Sequence, residues 1–231
     1  MKQLILSGGG DSKDSKELFV SLLPKDPEIL YIPIAINADK HPYPECLAWI
    51  KSELAPFGVN KITMWTDLNN KKLDDLKKFS AIYIGGGNTY KLLNEFRKTG
   101  FYELLKNYIE KGGVIYGGSA GAIIFSKSID PAGVFGDVNE VGLKDTSGFD
   151  LLNGFQLWCH YTPDDDEKIK KYIDNKNIKI IALSEESAIY VNDSEIKTVG
   201  PDNVVVFNKL EKSVYSPDTT LNKNETSNSK S

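Results

Sequence analysis

The chain has 231 residues, of which 40% are hydrophobic and 26% are charged, and its formal net charge is −4. These proportions are typical of a globular protein with a full hydrophobic core, and the scattered lysines and arginines form no basic patch of the kind that binds nucleic acid. No apolar run reaches the length of a membrane span, and the first apolar segment stops at Gly8, too early for a signal peptide. The sequence therefore predicts a cytoplasmic protein without nucleic-acid or membrane partners.

Apolar segments rich in Ile, Val and Tyr alternate with helical stretches along most of the chain. Helices are expected over residues 45–54, 89–98 and 102–111, among others, and strands over residues 3–7, 29–35, 61–65, 81–84, 114–116 and 179–183. This alternation predicts an α/β fold with a mostly parallel sheet and helices on both faces.

The pattern changes towards the end of the chain. Residues 188–191 and 195–199 are expected to form an antiparallel hairpin around a short polar turn, and residues 204–209 a final strand. Residues from 218 onward are polar and lack apolar periodicity, which predicts a disordered tail over 218–231. The sequence thus predicts one domain over residues 1–217.

A nucleophile elbow is predicted where the strand over 114–116 ends. Gly117, Ser119 and Gly121 form a G-x-S-x-G pattern between an apolar run and a helical segment. In such elbows the glycines permit a sharp strand-to-helix turn, and the serine projects at the carboxyl end of the sheet. Ser119 is therefore the candidate nucleophile.

A serine hydroxyl needs a nearby base, and histidine is the usual one. The chain has two histidines: His41 in a proline-rich loop, and His160 at the end of the apolar run 155–159. The end of a strand is the better catalytic position, so His160 is preferred. Spacing does not choose the carboxylate that would orient it; the acids between Ser119 and His160 are Asp130, Asp137, Glu140, Asp145 and Asp150.

The two cysteines, Cys46 and Cys159, have no spacing typical of a metal site or a disulfide framework. Both are expected to be buried thiols, with Cys159 pointing inward on alternation with His160. Neither a metal nor a cofactor is predicted. The glycine runs 8–10 and 85–87 could be turns or phosphate-binding loops, but neither fits a Rossmann or P-loop pattern.

Several sequence blocks, spread over most of the chain, form a specific combination. They are Gly85-Gly86-Gly87-Asn88-Thr89-Tyr90-Lys91-Leu92-Leu93, Gly117-Gly118-Ser119-Ala120-Gly121, Gly148-Phe149-Asp150, His160-Tyr161-Thr162-Pro163 and Val199-Gly200-Pro201. With these blocks the sequence resembles the peptidase E and cyanophycinase family of serine peptidases. The resemblance implies a fold similar to class I glutamine amidotransferases, with serine in place of cysteine at the elbow. Members of the dipeptidase E branch remove N-terminal aspartate from dipeptides, and cyanophycinases cut a β-aspartyl-arginine polymer.

The resemblance also implies roles for individual residues. Ser119 matches the nucleophile and His160 the base, while the amides of Gly87 and Ala120 match the oxyanion hole. For the orienting acid, the pair Asn139-Glu140 aligns with the family's Asn-Asp, which favours Glu140, with Glu185 or Asp130 as alternatives.

Two further positions, Asn88 and Asp165, are expected to contact the substrate. Asp165 and Lys168 stand where the aspartyl dipeptidases have two arginines, so this chain is predicted to lack a strict preference for N-terminal aspartate and to favour neutral or basic residues. The alternative is that the acids of segment 164–167 only cap the following helix.

The sequence therefore predicts a serine-type peptidase that acts on small peptides through Ser119, His160 and Glu140. Two other interpretations of the function stay open. One is a catalytically silent binding module that uses the elbow to present a pocket, and the other is an amidotransferase-like protein that needs a partner synthetase. Oligomeric state is not predicted.

Overall fold

The computed structural model describes residues 2–174, 176–209 and 211–221. The strands within these residues are β1 (Gln3–Ser7), β2 (Glu28–Ile32), β3 (Lys61–Met64), β4 (Ala81–Ile84), β5 (Val114–Gly118), β6 (Gln156–Trp158), β7 (Ile180–Ala182), β8 (Ala188–Val191), β9 (Ile196–Val199), β10 (Val204–Phe207) and β11 (Lys212–Tyr215). The α-helices are α1 (Lys13–Ser21), α2 (Tyr43–Leu54), α3 (Leu73–Leu76), α4 (Thr89–Lys98), α5 (Phe101–Glu110), α6 (Ala120–Ile123), α7 (Asp130–Phe135) and α8 (Asp166–Ile173). None of these helices is long and apolar enough to cross a membrane.

The main sheet has the strand order β3-β2-β4-β5-β1-β8-β9. Its first five strands are parallel, and β8 and β9 form an antiparallel hairpin that joins the sheet through β1. Both the mostly parallel sheet and the hairpin predicted from the sequence are confirmed. The predicted helix over 89–98 has the expected bounds, and the next one lies one residue earlier than expected.

Helices cover both faces of the main sheet because its strands alternate their side chains between two cores. Leu4 of β1 packs in one core, with Leu92 of α4, and Ile5 packs in the other, with Ile50 of α2. Such alternation is the normal consequence of the two-residue repeat of a strand. The central strands are therefore apolar on both sides, as their sequences predicted.

A second sheet, in the order β11-β10-β7-β6, packs beside the main one. Strands β6 and β7 are parallel, with Trp158 opposite Ala182. One face of this sheet packs against Ile169 and Ile173 of α8, while Leu157 and Ile181 belong to the same core as Leu4. The expectation that segment 179–183 joins the parallel main sheet is therefore corrected, since its neighbours are β6 and β10.

The predicted boundary of the polar tail is also corrected. Leu221 is only 2% exposed, and its amide donates to the carbonyl oxygen of Ile196 at 2.9 Å. The amide of Thr219 donates to Oγ1 of Thr198 at 2.8 Å. Residues 218–221 therefore pack along β9, because Leu221 supplies an apolar anchor that the polar composition concealed. The rest of the predicted tail, 222–231, lies outside the described residues.

Candidate active site

Ser119 stands in a sharp turn between β5 and α6. Its backbone has φ 49° and ψ −114°, a conformation that residues other than glycine rarely adopt, and its amide donates to the carbonyl oxygen of Ser7 at 3.1 Å. A Cβ atom at Gly117 would lie 2.3 Å from the carbonyl oxygen of Gly121, and one at Gly121 would lie 2.2 Å from that of Ile84. The structure thus shows why both glycines are required, and the elbow predicted from the sequence is present.

The side chain of His160 reaches the candidate nucleophile. Oγ of Ser119 and Nε2 of His160 are 2.8 Å apart. His160 follows β6 with a positive φ of 56°, and its amide donates to the carbonyl oxygen of Gly8 at 2.9 Å. That backbone hydrogen bond holds residue 160 at the end of β6, where its side chain is directed towards the elbow. Of the two histidines, the structure therefore brings the preferred one to Ser119.

The carboxylate on the far side of the imidazole belongs to Glu185. Its Oε1 is 2.5 Å from Nδ1 of His160. Because a carboxylate only accepts hydrogen bonds, Nδ1 of the neutral ring carries the proton, and Nε2 is then the acceptor that faces Ser119. The two side chains are 43% and 59% exposed, so the pair is partly hydrated. The main effect of Glu185 is therefore to select the tautomer and the orientation of the imidazole ring.

Parallel pairing of β6 and β7 explains how Glu185 meets His160. The amide of Leu183 donates to the carbonyl oxygen of Trp158 at 2.8 Å, and the amide of Tyr161 donates back to Leu183 at 2.9 Å. The loops that follow the two strands therefore leave the same edge of the second sheet side by side. This juxtaposition places residue 160 beside residue 185.

Glu140, the carboxylate favoured from the sequence, lies elsewhere. It occupies an exposed loop after α7, on the wall of a cavity of about 940 Å³ that also includes Gly87 and Asn88. Asp130 is the first residue of α7. The prediction that Glu140 orients His160 is therefore wrong: the hydrogen-bonding position at Nδ1 is taken by Glu185, one of the two alternatives.

The glycine run 8–10 surrounds the histidine–carboxylate pair. A Cβ atom at Gly9 would lie 2.4 Å from Oε2 of Glu185 and 2.4 Å from Cε1 of His160. One at Gly8 would lie 2.0 Å from the carbonyl oxygen of Ser184. The run thus allows the first loop to approach the pair closely, which the sequence analysis did not anticipate. The pattern of three glycines after a buried strand was the signal that could have indicated it.

We expect Gly9→Ala to lower kcat by on the order of 10²-fold, because a displacement of the imidazole by about 1 Å is enough for such a loss. Folding should survive, since the methyl group meets only the ends of two flexible side chains. Gly58→Ala is the matched control: it has open space but a φ of 84°, so it should cost about 1–2 kcal/mol of stability without loss of turnover. Steady-state kinetics and thermal unfolding measure both effects, and equal turnover of the two variants would contradict the expectation.

Of the predicted oxyanion-hole residues, Ala120 directly follows Ser119, and Gly87 follows Gly86, which contacts the elbow. Ala120 is the first residue of α6, where backbone amides have no partner within the helix. A Cβ atom at Gly86 would lie 3.2 Å from that of Ser119, which places the loop 85–87 against the elbow. Gly87 has φ 132°, and a Cβ atom there would lie 2.4 Å from the carbonyl oxygen of Ala35. Only glycine fits at this position.

The two predicted substrate contacts, Asn88 and Asp165, have structural partners. Oδ1 of Asn88 accepts from the amide of Lys91 at 2.9 Å, which caps α4, and its Nδ2 donates to the carbonyl oxygen of Val138 at 2.8 Å. Asp165 accepts from the amide of Thr162 at 3.1 Å and from Lys168 at 3.3 Å. Asn88 still lines the large cavity, whereas the carboxylate of Asp165 is bound within its own turn.

Both cysteines are buried, as predicted. Cys159 is fully buried, with its Sγ 3.8 Å from the carbonyl oxygen of Ser119; burial raises the pKa of its thiol far above the usual range, with a further increase from the charge of Glu185. The thiol is therefore protonated near neutral pH and is not a nucleophile. Ser119 has no competitor at this position.

The partly buried carboxylate of Asp11 and the hydroxyl groups around it lie against the elbow. Hydroxyl groups of Tyr83, Tyr116 (at 3.0 Å) and Ser7 (at 3.4 Å) donate to the carboxylate of Asp11. Burial raises the pKa of this carboxyl group, and the hydroxyl groups partly offset that rise. A Cβ atom at Gly118 would lie 3.8 Å from Oδ1 of Asp11, so the cluster contacts the strand end that carries the nucleophile. The sequence analysis did not single out Asp11.

A serine at a strand–helix elbow, hydrogen-bonded to an imidazole that a carboxylate orients, defines a serine hydrolase on an α/β scaffold. Within that class, residues 4–199 of this chain match Peptidase family S51. The chain belongs to this family of peptidases. The predicted family and the predicted serine peptidase are thereby confirmed.

Named relatives agree with this assignment. Proteins named Peptidase E from Salmonella paratyphi C and Salmonella typhimurium are 29% identical to this chain over 173 residues, which is 70% of this chain and 72% of theirs. A solved structure of a provisionally assigned peptidase E protein from Listeria monocytogenes EGD-e is 25% identical and has a TM-score of 0.67, covering 86% of this chain and 98% of that chain. A peptidase from an acI-B1 Actinobacterium shares the fold, with a TM-score of 0.73 at 19% identity and 96% coverage of each chain.

Proposed function

We propose that this chain is a serine peptidase that hydrolyses small peptides through Ser119, His160 and Glu185. The observation that carries the proposal is the continuous hydrogen-bonded series from Oγ of Ser119 to Nε2 of His160 at 2.8 Å and from Nδ1 to Glu185 at 2.5 Å. It gives a weak nucleophile a base within reach and gives the base a fixed tautomer.

In the proposed reaction, Oγ of Ser119 attacks the carbonyl carbon of the peptide while its proton passes to Nε2 of His160. Amides of Gly87 and Ala120 donate to the oxygen that becomes negatively charged, as oxyanion-hole donors do. Collapse of the tetrahedral intermediate breaks the C–N bond, and His160 returns the proton to the departing amine. A water molecule, deprotonated by His160, then attacks the acyl-enzyme and releases the acid product, restoring the Ser119 hydroxyl.

Small peptides are the proposed substrates because the cavity beside Ser119 is of moderate size. Its volume of about 940 Å³ lies within the range usual for small-molecule sites, about 300–1,000 Å³. The relatives named Peptidase E support peptidase activity. The cytoplasmic location and the absence of nucleic-acid and membrane partners remain predictions from the sequence.

A fluorophosphonate probe tests whether Ser119 is an activated nucleophile, because it reacts much faster with an activated serine than with an ordinary one. We expect covalent labelling of one residue, identified by mass spectrometry of the digested protein as Ser119, and loss of labelling in His160→Ala. Absence of labelling in the folded wild-type chain would instead favour a catalytically silent binding module. The amidotransferase-like alternative would require copurification of a synthetase.

A further inference from the structure

A second, smaller cavity opens next to the nucleophile. It has a volume of about 390 Å³ and is called the aromatic pocket here; its lining residues are Tyr31, Ile36, His41, Glu45, Cys46, Trp49 and Gly86. Gly86 is the wall nearest the elbow, since a Cβ atom there would lie 3.8 Å from Oγ of Ser119. The pocket therefore begins within a few ångströms of the reacting atom.

Most of the surface of the aromatic pocket is apolar. Trp49 is 43% exposed, whereas Tyr31 beneath it is buried. Burial raises the pKa of both the Tyr31 hydroxyl and the Cys46 thiol, so neither group is charged near neutral pH. A large exposed indole beside a reactive serine is apolar surface that a bound side chain can cover.

The charged group at this pocket has the wrong sign for an acidic ligand. Among the described residues that line it, Glu45 contributes a carboxylate and His41 an imidazole, and no lysine or arginine is present. An acidic side chain would lose hydration here without gaining a lysine or arginine partner, and such burial is unfavourable. An uncharged apolar side chain carries no such penalty.

The indole is held in place by neighbouring rings. The ring centroid of Trp49 lies 6.4 Å from that of Tyr31 and 6.2 Å from that of Tyr83, and these two tyrosine rings are 5.6 Å apart in an edge-to-face arrangement. Trp49 belongs to α2, which packs on the main sheet through Cys46 and Ile50. A pocket built on such rigid elements needs little reorganisation when a ligand enters.

We propose that the aromatic pocket selects peptides with a large apolar side chain, such as that of Phe or Leu, at one of the two residues that flank the scissile bond. This inference rests on the proposed peptidase function and specifies its substrate class. It agrees with the preference predicted from the sequence in disfavouring acidic side chains, and it differs in favouring large apolar side chains over basic ones.

Hydrolysis of a small panel tests the proposal: Ala-Ala, Phe-Ala, Ala-Phe, Asp-Ala and Ala-Asp. We expect Phe at one of the two positions to raise kcat/KM at least about tenfold over Ala-Ala, and Asp at that position to give no increase. Trp49→Ala should lower kcat/KM about tenfold more for the Phe peptide than for Ala-Ala, and Trp49→Phe should retain most of the preference for Phe. A preference for the Asp peptides, or equal losses for Phe and Ala peptides, would overturn the proposal.

Binding measured without catalysis separates this inference from the proposed function. Calorimetry on Ser119→Ala identifies which of Phe-Ala and Ala-Phe binds more tightly. We expect that peptide to bind about fivefold more weakly, or weaker still, when Trp49→Ala is added to Ser119→Ala. If this loss is seen while fluorophosphonate fails to label wild-type Ser119, the pocket is supported and the peptidase function fails. If labelling succeeds and Trp49→Ala leaves binding unchanged, the inference on the pocket fails alone.

Discussion

Ser119→Ala is expected to lower kcat for peptide hydrolysis by on the order of 10⁴- to 10⁶-fold, because covalent catalysis is lost and only substrate positioning and the oxyanion donors remain. Turnover of the preferred dipeptide by purified protein measures this loss. The unfolding midpoint should change little, since the Ser119 side chain makes no buried contact that the fold depends on.

Ser21→Ala is the matched control. This serine is exposed at the end of α1, where its hydroxyl group donates to the carbonyl oxygen of Leu18. We expect full activity from Ser21→Ala. Substantial activity of Ser119→Ala, purified from a host that lacks related peptidases, would contradict the assigned nucleophile.

Glu185→Gln is expected to lower kcat by about 10²- to 10⁴-fold, whereas Glu140→Gln should stay within about twofold of wild type. The glutamine removes the negative charge that stabilises the imidazolium, and its amide group can hold the ring in the wrong tautomer. The partial exposure of the His160–Glu185 pair favours the lower part of that range, because water screens part of the charge.

The same two variants show which carboxylate orients His160, because each substitution removes one charge and keeps the side-chain length. Burst kinetics with an activated ester would show whether acylation slows, as loss of the orienting acid requires. A large loss for Glu140→Gln with near-normal Glu185→Gln would return the role to Glu140 and would require the loop after α7 to move.

Much of this site could be predicted from the sequence because its signals are local. The elbow depends on glycines within two residues of Ser119 on either side, and the apolar run before His160 marks a strand end. The fold class followed from alternating strand and helix patterns. Each of these depends on residues that are neighbours in the chain.

The orienting carboxylate was missed because its position depends on a contact that no local pattern encodes. Glu185 reaches His160 only because β6 and β7, strands of three residues each, pair in parallel in a second sheet. The sequence analysis assigned the segment around β7 to the main sheet, which hid that juxtaposition. Asp11 was missed for a similar reason, since the hydroxyl groups of Tyr83 and Tyr116 meet it from strands β4 and β5.

Nucleophile and base are carried by different sheets: Ser119 follows β5 in the main sheet, and His160 follows β6 in the second. The distance of 2.8 Å between Oγ of Ser119 and Nε2 of His160 therefore depends on how the two sheets pack against each other. Enlarging or shrinking a side chain in their shared interior can slide one layer by a fraction of an ångström while circular dichroism still looks native. The turnover rate is therefore a more sensitive measure of interior packing in this molecule than a spectrum that reports its helices and strands.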